Sequence, residues 1–287
     1  MMRHLIRRIG FYLVAIWASI TLNFLIPRLA PGDPVQALLA RMHGRISPQA
    51  QHALEIAFGV SHDPIWSQYL QYLNNLFHGN FGISIYAFPT PVITVILQDL
   101  PWTLTLVGVS LVLSFVIGTM LGIVIAWKRG STVDAVLAPL FTFLSAIPYF
   151  WLALIMLYFL AYQWGLFPLN GGYDVNNATP GWTLGFFLDA TFHAILPALT
   201  IVISSVGGWL LGMRNAMITT LSEDYVIMAE AKGLPERRVM FSYAARNAIL
   251  PNITGFALSL GFVVSGSLLT EIVFSYPGIG YLSLIHI

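Results

Sequence analysis

The chain has 287 residues, of which 57% are hydrophobic and only 9% are charged, and its formal net charge is +1. A soluble domain carries about a quarter charged residues, so this composition excludes an ordinary globular surface and indicates a protein embedded in lipid. The small net charge argues against a nucleic-acid partner. The absence of cysteine excludes disulfides, thiol catalysis and cysteine-based metal sites.

Five apolar segments are each predicted to span a membrane, which takes about 20 apolar residues. The first follows three arginines and is longer than the apolar part of a signal peptide, so we expect a retained helix. The predicted fold is therefore an all-α polytopic membrane protein. The predicted spans are Ile9–Leu29, Thr103–Trp127, Val136–Tyr162, Ile195–Leu211 and Ile249–Val273.

The positions of lysine and arginine predict the orientation of these spans, because cytoplasmic loops carry the excess of positive charge. Ten of the 13 Lys and Arg residues lie on the side of the N-terminus, and three lie on the other. We therefore expect a cytoplasmic N-terminus, with segments 30–101 and 163–193 facing outward.

A charged island, Ser222–Pro251, lies between the fourth and fifth predicted spans. Ser222 is expected to cap a short helix over Glu223–Lys232, and Gly233 to end it in the left-handed conformation. Pro235 suits the first turn of a second helix. This pattern predicts a rigid docking element, although a solvated loop that follows the positive-inside rule fits the spacing equally well. The small side chains that would let a partner approach closely are Ala229, Ala231, Ala244, Ala245 and Ala248.

The island resembles the cytoplasmic coupling loop of permeases from binding-protein-dependent ABC importers, in the dipeptide/oligopeptide/nickel branch. The match runs in order from Asp224-Tyr225-Val226 to Ile249-Leu250-Pro251, with Ile227-Met228-Ala229 in place of the Glu-Ala-Ala of the wider superfamily. The resemblance implies that this loop docks on a separate ATPase. The residues that carry this implied role are Asp224, Tyr225, Ala229, Ala231, Lys232, Gly233, Leu234, Glu236, Arg237, Arg238, Arg246, Asn247 and Pro251.

Pro31–Pro34, Tyr69–Ser84, Leu196–Ala198 and Thr270–Gly280 resemble the same branch. The resemblance implies the type I permease fold of ABC importers. It divides the chain into an N-terminal helix with an extracytoplasmic segment (1–100) and a transport core (101–281) that contains the coupling loop (215–248).

The resemblance further implies a second permease chain, two ATPase subunits and an extracytoplasmic binding protein in a prokaryotic cytoplasmic membrane. The chain has no phosphate-binding loop motif, so ATP and Mg²⁺ are expected on the ATPase subunits and no cofactor or catalytic residue on this chain. Histidines such as His43, His52 and His62 lack metal-site spacing, so no metal site is predicted. Peptides, nickel chelates and some sugars all remain open as substrates.

Polar side chains within the spans are candidates for a transport path, although serine often bonds its own helix. The predicted path residues are Ser205, Asn252, Ser259 and Glu271. Small-residue spacings predict close helix packing. These are Gly118-x-x-x-Gly122, Gly208-x-x-x-Gly212 and Gly255-x-x-x-Ser259.

The family resemblance implies a sixth span after the Pro-Gly-x-Gly segment. Residues 282–287 are too few to cross a membrane, and they match the translation of a sequencing-library adapter. We therefore expect a non-native tail in place of the sixth span.

Two other classes of membrane protein are disfavoured by the sequence. A membrane-embedded enzyme would need paired Asp residues, a His-Glu metal motif or a Ser–His pair at bilayer depth. An ion-coupled transporter would favour intramembrane carboxylates and an internal repeat. The sequence contains neither pattern, and neither class needs a coupling loop.

Overall fold

The computed structural model describes residues 2–29, 63–84 and 87–285. These residues are mainly helical, and the β structure among them is one isolated bridge between Ile83 and Pro91. They form two compact units that meet between Leu97 and Gln98. The Pro31–Pro34 stretch and the histidines at 43, 52 and 62 lie outside the described residues.

The first unit contains α1 (Met2–Leu29) and α2 (Ile65–Phe77). Phe24 of α1 is buried against the rings of Tyr69 and Tyr72, at centroid distances of 5.1 and 5.4 Å. The hydroxyls of Thr21 and Tyr69 are 2.8 Å apart. These contacts hold α2 along the last turns of α1, and the first predicted span is confirmed as a long apolar helix.

The second unit is built on two long helices, α3 (Val92–Trp127, 36 residues) and, further along the chain, a helix over Leu184–Leu221 (38 residues). At 1.5 Å per residue they measure about 54 and 57 Å, well beyond a hydrocarbon core of about 30 Å. Each helix therefore extends beyond the predicted span that it contains, which is Thr103–Trp127 in the first and Ile195–Leu211 in the second. Hydropathy detects the lipid-facing part of a helix and misses its less apolar ends.

The third predicted span, Val136–Tyr162, is wrong as a single helix. It folds as α4 (Thr132–Ala146), α5 (Tyr149–Met156) and a π-helical segment (Leu157–Gln163), with a 94° bend between the two parts. Ile147 is extended, with ψ 124°, because the following Pro148 disfavours the helical conformation at the preceding residue. The long helix α6 (Leu184–Leu221) follows.

The charged island folds as short helical pieces, and α6 leads directly into it. They are α7 (Asp224–Ala231), α8 (Glu236–Arg238), a π-helical segment (Val239–Ala245) and α9 (Arg246–Ala248). One turn residue, Ile249, separates the island from α10 (Leu250–Val263).

The fifth predicted span, Ile249–Val273, is also interrupted. Helix α10 has 14 residues and ends at Val263, after which Gly266 takes a left-handed φ of 74° and α11 (Leu268–Val273) begins. Helix α12 (Ile279–Ile285) follows. In the described part of the chain, three helices and the bent α4–α5 pair have the length and hydropathy of spans, and α10 is a shorter apolar helix. The non-native tail and the missing sixth span stay predictions.

Close packing of α3 on α6 organises the second unit. A Cβ atom added to Gly118 would lie 2.6 Å from the Val206 carbonyl oxygen, and one added to Gly122 would lie 2.6 Å from that of Leu210. The backbones thus approach as closely as glycine permits, which confirms the predicted role of this glycine pair. Gly208, from the second predicted pair, has no atom within 4 Å of its added Cβ and takes no part in packing.

Helix α4 is fastened to α6 by an ion pair. The Arg214 guanidinium donates two hydrogen bonds to the Asp134 carboxylate, at 2.8 and 3.0 Å, and the Gly130 backbone N–H donates a third at 3.0 Å. Bidentate pairs of this kind fix geometry as well as charge. The start of α4 is therefore held in register with the island-proximal end of α6.

The α3–α6 contact generates a stability prediction. Replacing Gly122 with Ala should lower the free energy of unfolding by about 1–3 kcal/mol, because the added methyl must displace the α6 backbone. Gly261→Ala is the matched control, since this helical glycine has no atom within 4 Å of its added Cβ. Thermal unfolding in detergent would measure both variants, and equal midpoints for the two would contradict the packing.

Candidate functional site

The island begins differently from the sequence prediction. Ser222 ends α6 rather than capping α7, since its hydroxyl donates to the Thr219 carbonyl oxygen at 2.8 Å. Glu223 holds the N-cap position of α7 without a side-chain capping bond. The predicted Ser222 cap is therefore wrong, because the Ser222 hydroxyl is hydrogen-bonded to the preceding helix, α6.

The end of α7 is as predicted. Gly233 has a left-handed φ of 72°, its N–H donates to the Glu230 carbonyl at 2.8 Å, and the Leu234 N–H reaches the Ala229 carbonyl at 3.4 Å. This pair of bonds is the Schellman ending, which leaves few carbonyls unpaired. The corner at Gly233 is thus fixed by backbone hydrogen bonds as well as by residue type.

One face of α7 is buried against its own chain. Val226 and Ala229 pack with Ile123 of α3 and with Met213 and Met217 of α6 in a single apolar cluster. The expectation that the alanines let a partner approach is therefore wrong for four of the five, which fill the interior of the island. The buried alanines are Ala229, Ala244, Ala245 and Ala248.

The opposite face of α7 is open and partly apolar. Ile227 is 51% exposed and Met228 is 57% exposed, and Ala231 is exposed beside them. The Asn247 side chain donates to the Tyr225 hydroxyl at 2.8 Å, which joins α7 to α9. Most of the other predicted docking residues are exposed, while Leu234 is partly buried. The exposed ones are Asp224, Tyr225, Lys232, Gly233, Glu236, Arg237, Arg238, Arg246, Asn247 and Pro251.

Sequence reasoning gave no docking role to Ile227 and Met228. The available signal was the apolar run Val226-Ile227-Met228-Ala229, which is longer than one buried face of a helix needs. Their exposure matters because contiguous exposed apolar side chains favour contact with another protein or with lipid. The exposed part of the island also carries charged side chains of both signs, so its surface combines apolar and charged groups.

Three of the four predicted path residues line one cavity of about 480 Å³. The Ser259 hydroxyl donates to the Gly255 carbonyl of its own helix at 2.9 Å. Its oxygen can still accept a hydrogen bond from a molecule in the cavity. The lining residues are Leu111, Ser205, Gly208, Trp209, Pro251, Asn252, Gly255 and Ser259.

Glu271, the fourth predicted path residue, does not line this cavity. It is fully buried, and its carboxylate accepts hydrogen bonds from the Thr103 hydroxyl and the Ser267 N–H, each at 3.2 Å, and from the Tyr281 N–H at 2.8 Å. The Thr103 oxygen in turn accepts the Ile279 N–H at 2.8 Å. In this conformation Glu271 therefore ties α3 to the chain around α11 and α12, and its predicted role in the path stays a prediction.

Both glycines of the Pro-Gly-x-Gly segment lie against the Glu271 carboxylate. Cβ atoms added to Gly278 and Gly280 would lie 2.5 and 2.9 Å from the Glu271 carboxylate oxygen Oε2. Only glycine leaves room for the loop to wrap the buried acid. Burial raises the pKa of the neighbouring Tyr276 phenol, and the Glu271 charge acts in the same direction.

Comparison with known proteins decides the family. The family model described as "Binding-protein-dependent transport system inner membrane component" matches residues 118–287. The chain is a member of this family of permeases. It is 35% identical to the oligopeptide transport system permease protein AppB of Bacillus subtilis, 34% to the di/tripeptide permease DppB of Pseudomonas aeruginosa and 32% to the dipeptide permease DppB of Escherichia coli. Each match covers 98% of this chain and 86% of the relative.

Family membership establishes the general character of the permease. It has the type I permease fold and is a multi-pass membrane component of a transport system rather than an enzyme. Permeases of this family work with an ATPase and a substrate-binding protein. The predicted resemblance to the peptide branch is confirmed.

The Glu271 network predicts a stability effect in the permease. Glu271→Gln should destabilise the fold by about 1–3 kcal/mol, because the amide group would set an N–H donor against a backbone N–H donor. Glu230→Gln, on the exposed side of α7, is the control and should leave the unfolding midpoint unchanged. Thermal unfolding of the purified permease measures both, and an unaffected Glu271→Gln midpoint would show that the network contributes little.

Proposed function

We propose that the permease is a membrane-spanning subunit of an ATP-driven importer of di- and oligopeptides. The relatives named for oligopeptide, di/tripeptide and dipeptide transport support this substrate class, since each match spans 98% of the chain. The proposed assembly contains a second permease, two ATPase subunits and an extracytoplasmic binding protein. ATP and Mg²⁺ bind to the ATPases, because this chain lacks a phosphate-binding loop.

The charged island is the proposed docking site for an ATPase. The observation that carries this proposal is the geometry of α7, which anchors Val226 and Ala229 in the permease core and presents Ile227 and Met228 outward. A helix held on one face and apolar on the other can receive a push and pass it to its own core. Its Schellman corner at Gly233 limits bending under that push.

The island faces the cytoplasm in this proposal, as does the N-terminus. The distribution of Lys and Arg supports this orientation, with ten of 13 on that side. ATP is made and held in the cytoplasm, so the same orientation is what an ATPase partner requires. The binding protein then delivers its peptide to the opposite face.

The cavity beside Pro251 is the proposed part of the transport path in this subunit. Ser205, Asn252 and Ser259 supply polar atoms among apolar walls. A peptide crossing at this depth needs such atoms, because its own amides otherwise lose their hydrogen bonds to water.

The docking surface can be tested by crosslinking, and the chain has no cysteine to interfere. With the partners encoded beside the permease gene co-expressed, Ala231→Cys should crosslink to an ATPase subunit, with a yield that changes on adding ATP. Val175→Cys, at an exposed position in the predicted outward segment, is the control and should not react with the ATPase. An inserted, assembled permease whose Ala231→Cys variant never reaches the ATPase would remove the docking role.

The chemistry of the docking face predicts a second effect. Ile227→Asp should weaken ATPase association by roughly tenfold, since burying an unpaired charge costs more than about 1.4 kcal/mol. Lys128→Asp, which changes an exposed charge after α3, is the control and should retain association. Co-purification yields compare the two variants, and equal yields would place the contact elsewhere.

The substrate class is tested by uptake into proteoliposomes that hold the complete complex. Labelled dialanine should enter only when ATP and the binding protein are both present, and unlabelled tripeptide should compete. Competition by a nickel chelate without competition by peptides would transfer the assignment to metal uptake. ATP hydrolysis with no peptide uptake would reject the peptide assignment.

A further inference from the structure

Asn252 occupies an unusual position at the junction between the charged island and the membrane core. It is the third residue of α10, it follows Pro251, and it is only 6% exposed. Its side-chain amide donates to the Trp209 carbonyl of α6 at 3.0 Å and to the Thr119 hydroxyl of α3 at 3.3 Å. Both amide protons are therefore used, and each is held by a different helix.

These two hydrogen bonds are the polar connection between α10 and the α3–α6 pair. In the described part of the chain, the other side-chain hydrogen bonds from α10 stay within the helix, as those of Thr254 and Ser259 do. The remaining contacts of α10 with the pair are apolar, such as the rings of Phe115 and Phe256 with centroids 4.5 Å apart. Apolar contacts permit sliding, whereas two directional bonds fix rotation and register.

The surroundings of Asn252 are built to admit it. A Cβ atom added to Gly212 of α6 would lie 2.9 Å from the Asn252 amide oxygen, so a larger residue at position 212 would push the amide away. This contact explains the second glycine of the Gly208-x-x-x-Gly212 pattern. The glycine makes room for the side chain of the neighbouring helix and does not itself pack against a backbone.

The island packs on α3 and α6, the same two helices to which Asn252 donates hydrogen bonds. Val226 and Ala229 of α7 pack against Met213 and Met217 of α6 and Ile123 of α3, one to two turns beyond Thr119 and Trp209. Asn252 also lines the cavity of about 480 Å³. Asn252 thus lies between the surface that receives a push and the wall that would have to move.

We propose that Asn252 is the positioning residue that locks α10 to the α3–α6 pair, so that a displacement of the island moves the cavity wall as one rigid body. This inference rests on the proposed function, because it assigns to Asn252 the transmission step between ATPase docking and the path. Asn252 does this through its two donated bonds and need not touch the peptide.

The test uses the complete complex in proteoliposomes and the absence of native cysteines. Spin labels at Val116→Cys on α3 and Leu258→Cys on α10, both exposed positions, report the distance between the two helices without nucleotide and with ADP–vanadate. With Asn252 intact, the distance distribution should be narrow and equal in both states. In Asn252→Leu it should broaden or shift with nucleotide.

The same preparations give a functional readout. Dialanine moved per ATP hydrolysed should fall roughly tenfold in Asn252→Leu, the shift expected when a buried hydrogen bond is lost. In Thr119→Val, whose position does not line the cavity, basal ATP hydrolysis should persist, because the island and its docking face are unchanged. Thr254→Val is the matched control on the same helix as Asn252, since its hydroxyl bonds only the Leu250 carbonyl, and it should behave as the wild type in both readouts.

Thr119→Val removes the hydroxyl of α3 that accepts one of the two Asn252 hydrogen bonds. This variant tests the inference if Asn252→Leu fails to assemble. Unchanged distances and an unchanged peptide-to-ATP ratio in an assembled variant would overturn the inference. The distance measurement needs no substrate. A wild-type complex that hydrolyses ATP but moves no dialanine would therefore count against the peptide assignment. The spin-label distances would still test the proposed role of Asn252.

Discussion

The close contact of α3 with α6 is the constraint on which the rest of the transport core depends. Gly118 and Gly122 let the two backbones approach to a distance that no side chain would permit. In lipid there is little hydrophobic gain from helix association, so this close packing supplies the attraction. The bent α4–α5 pair, the island and the interrupted fifth segment all attach to the paired helices, through the Asp134–Arg214 ion pair, the Met213–Met217 cluster and the Asn252 amide.

Interrupted helices raise a second physical requirement, because lipid offers no partners for freed backbone groups. The break after α10 meets it with Glu271, whose carboxylate accepts two backbone N–H groups and the Thr103 hydroxyl. Glycine is required at positions 278 and 280, because the loop passes too close to the Glu271 carboxylate for a side chain to fit. A motif that identifies the family by sequence is thus explained by the space a buried carboxylate needs.

The charged island combines two surfaces with opposite demands. Its inner face is alanine-rich and continuous with the membrane core, whereas Ile227, Met228 and the charged side chains of the island are exposed. This arrangement makes the island an extension of the packed core rather than a separate loop. A force applied to α7 therefore meets packed side chains at once, and Asn252 lies one step further along the same route.

The sequence by itself determined the class of protein, the helical content, the position of the island and the turn at Gly233, because composition, apolar length and a left-handed glycine are local properties. It also predicted that Gly118 and Gly122 allow close packing of their helix against a neighbour. Only the tertiary structure decided that two predicted spans are broken, that Ser222 closes α6, and that four island alanines face inward. Hydropathy averages over a window and carries no information on distant partners. It could not separate Glu271, which is bonded to Thr103 168 residues away, from the other three predicted path residues, which line one cavity.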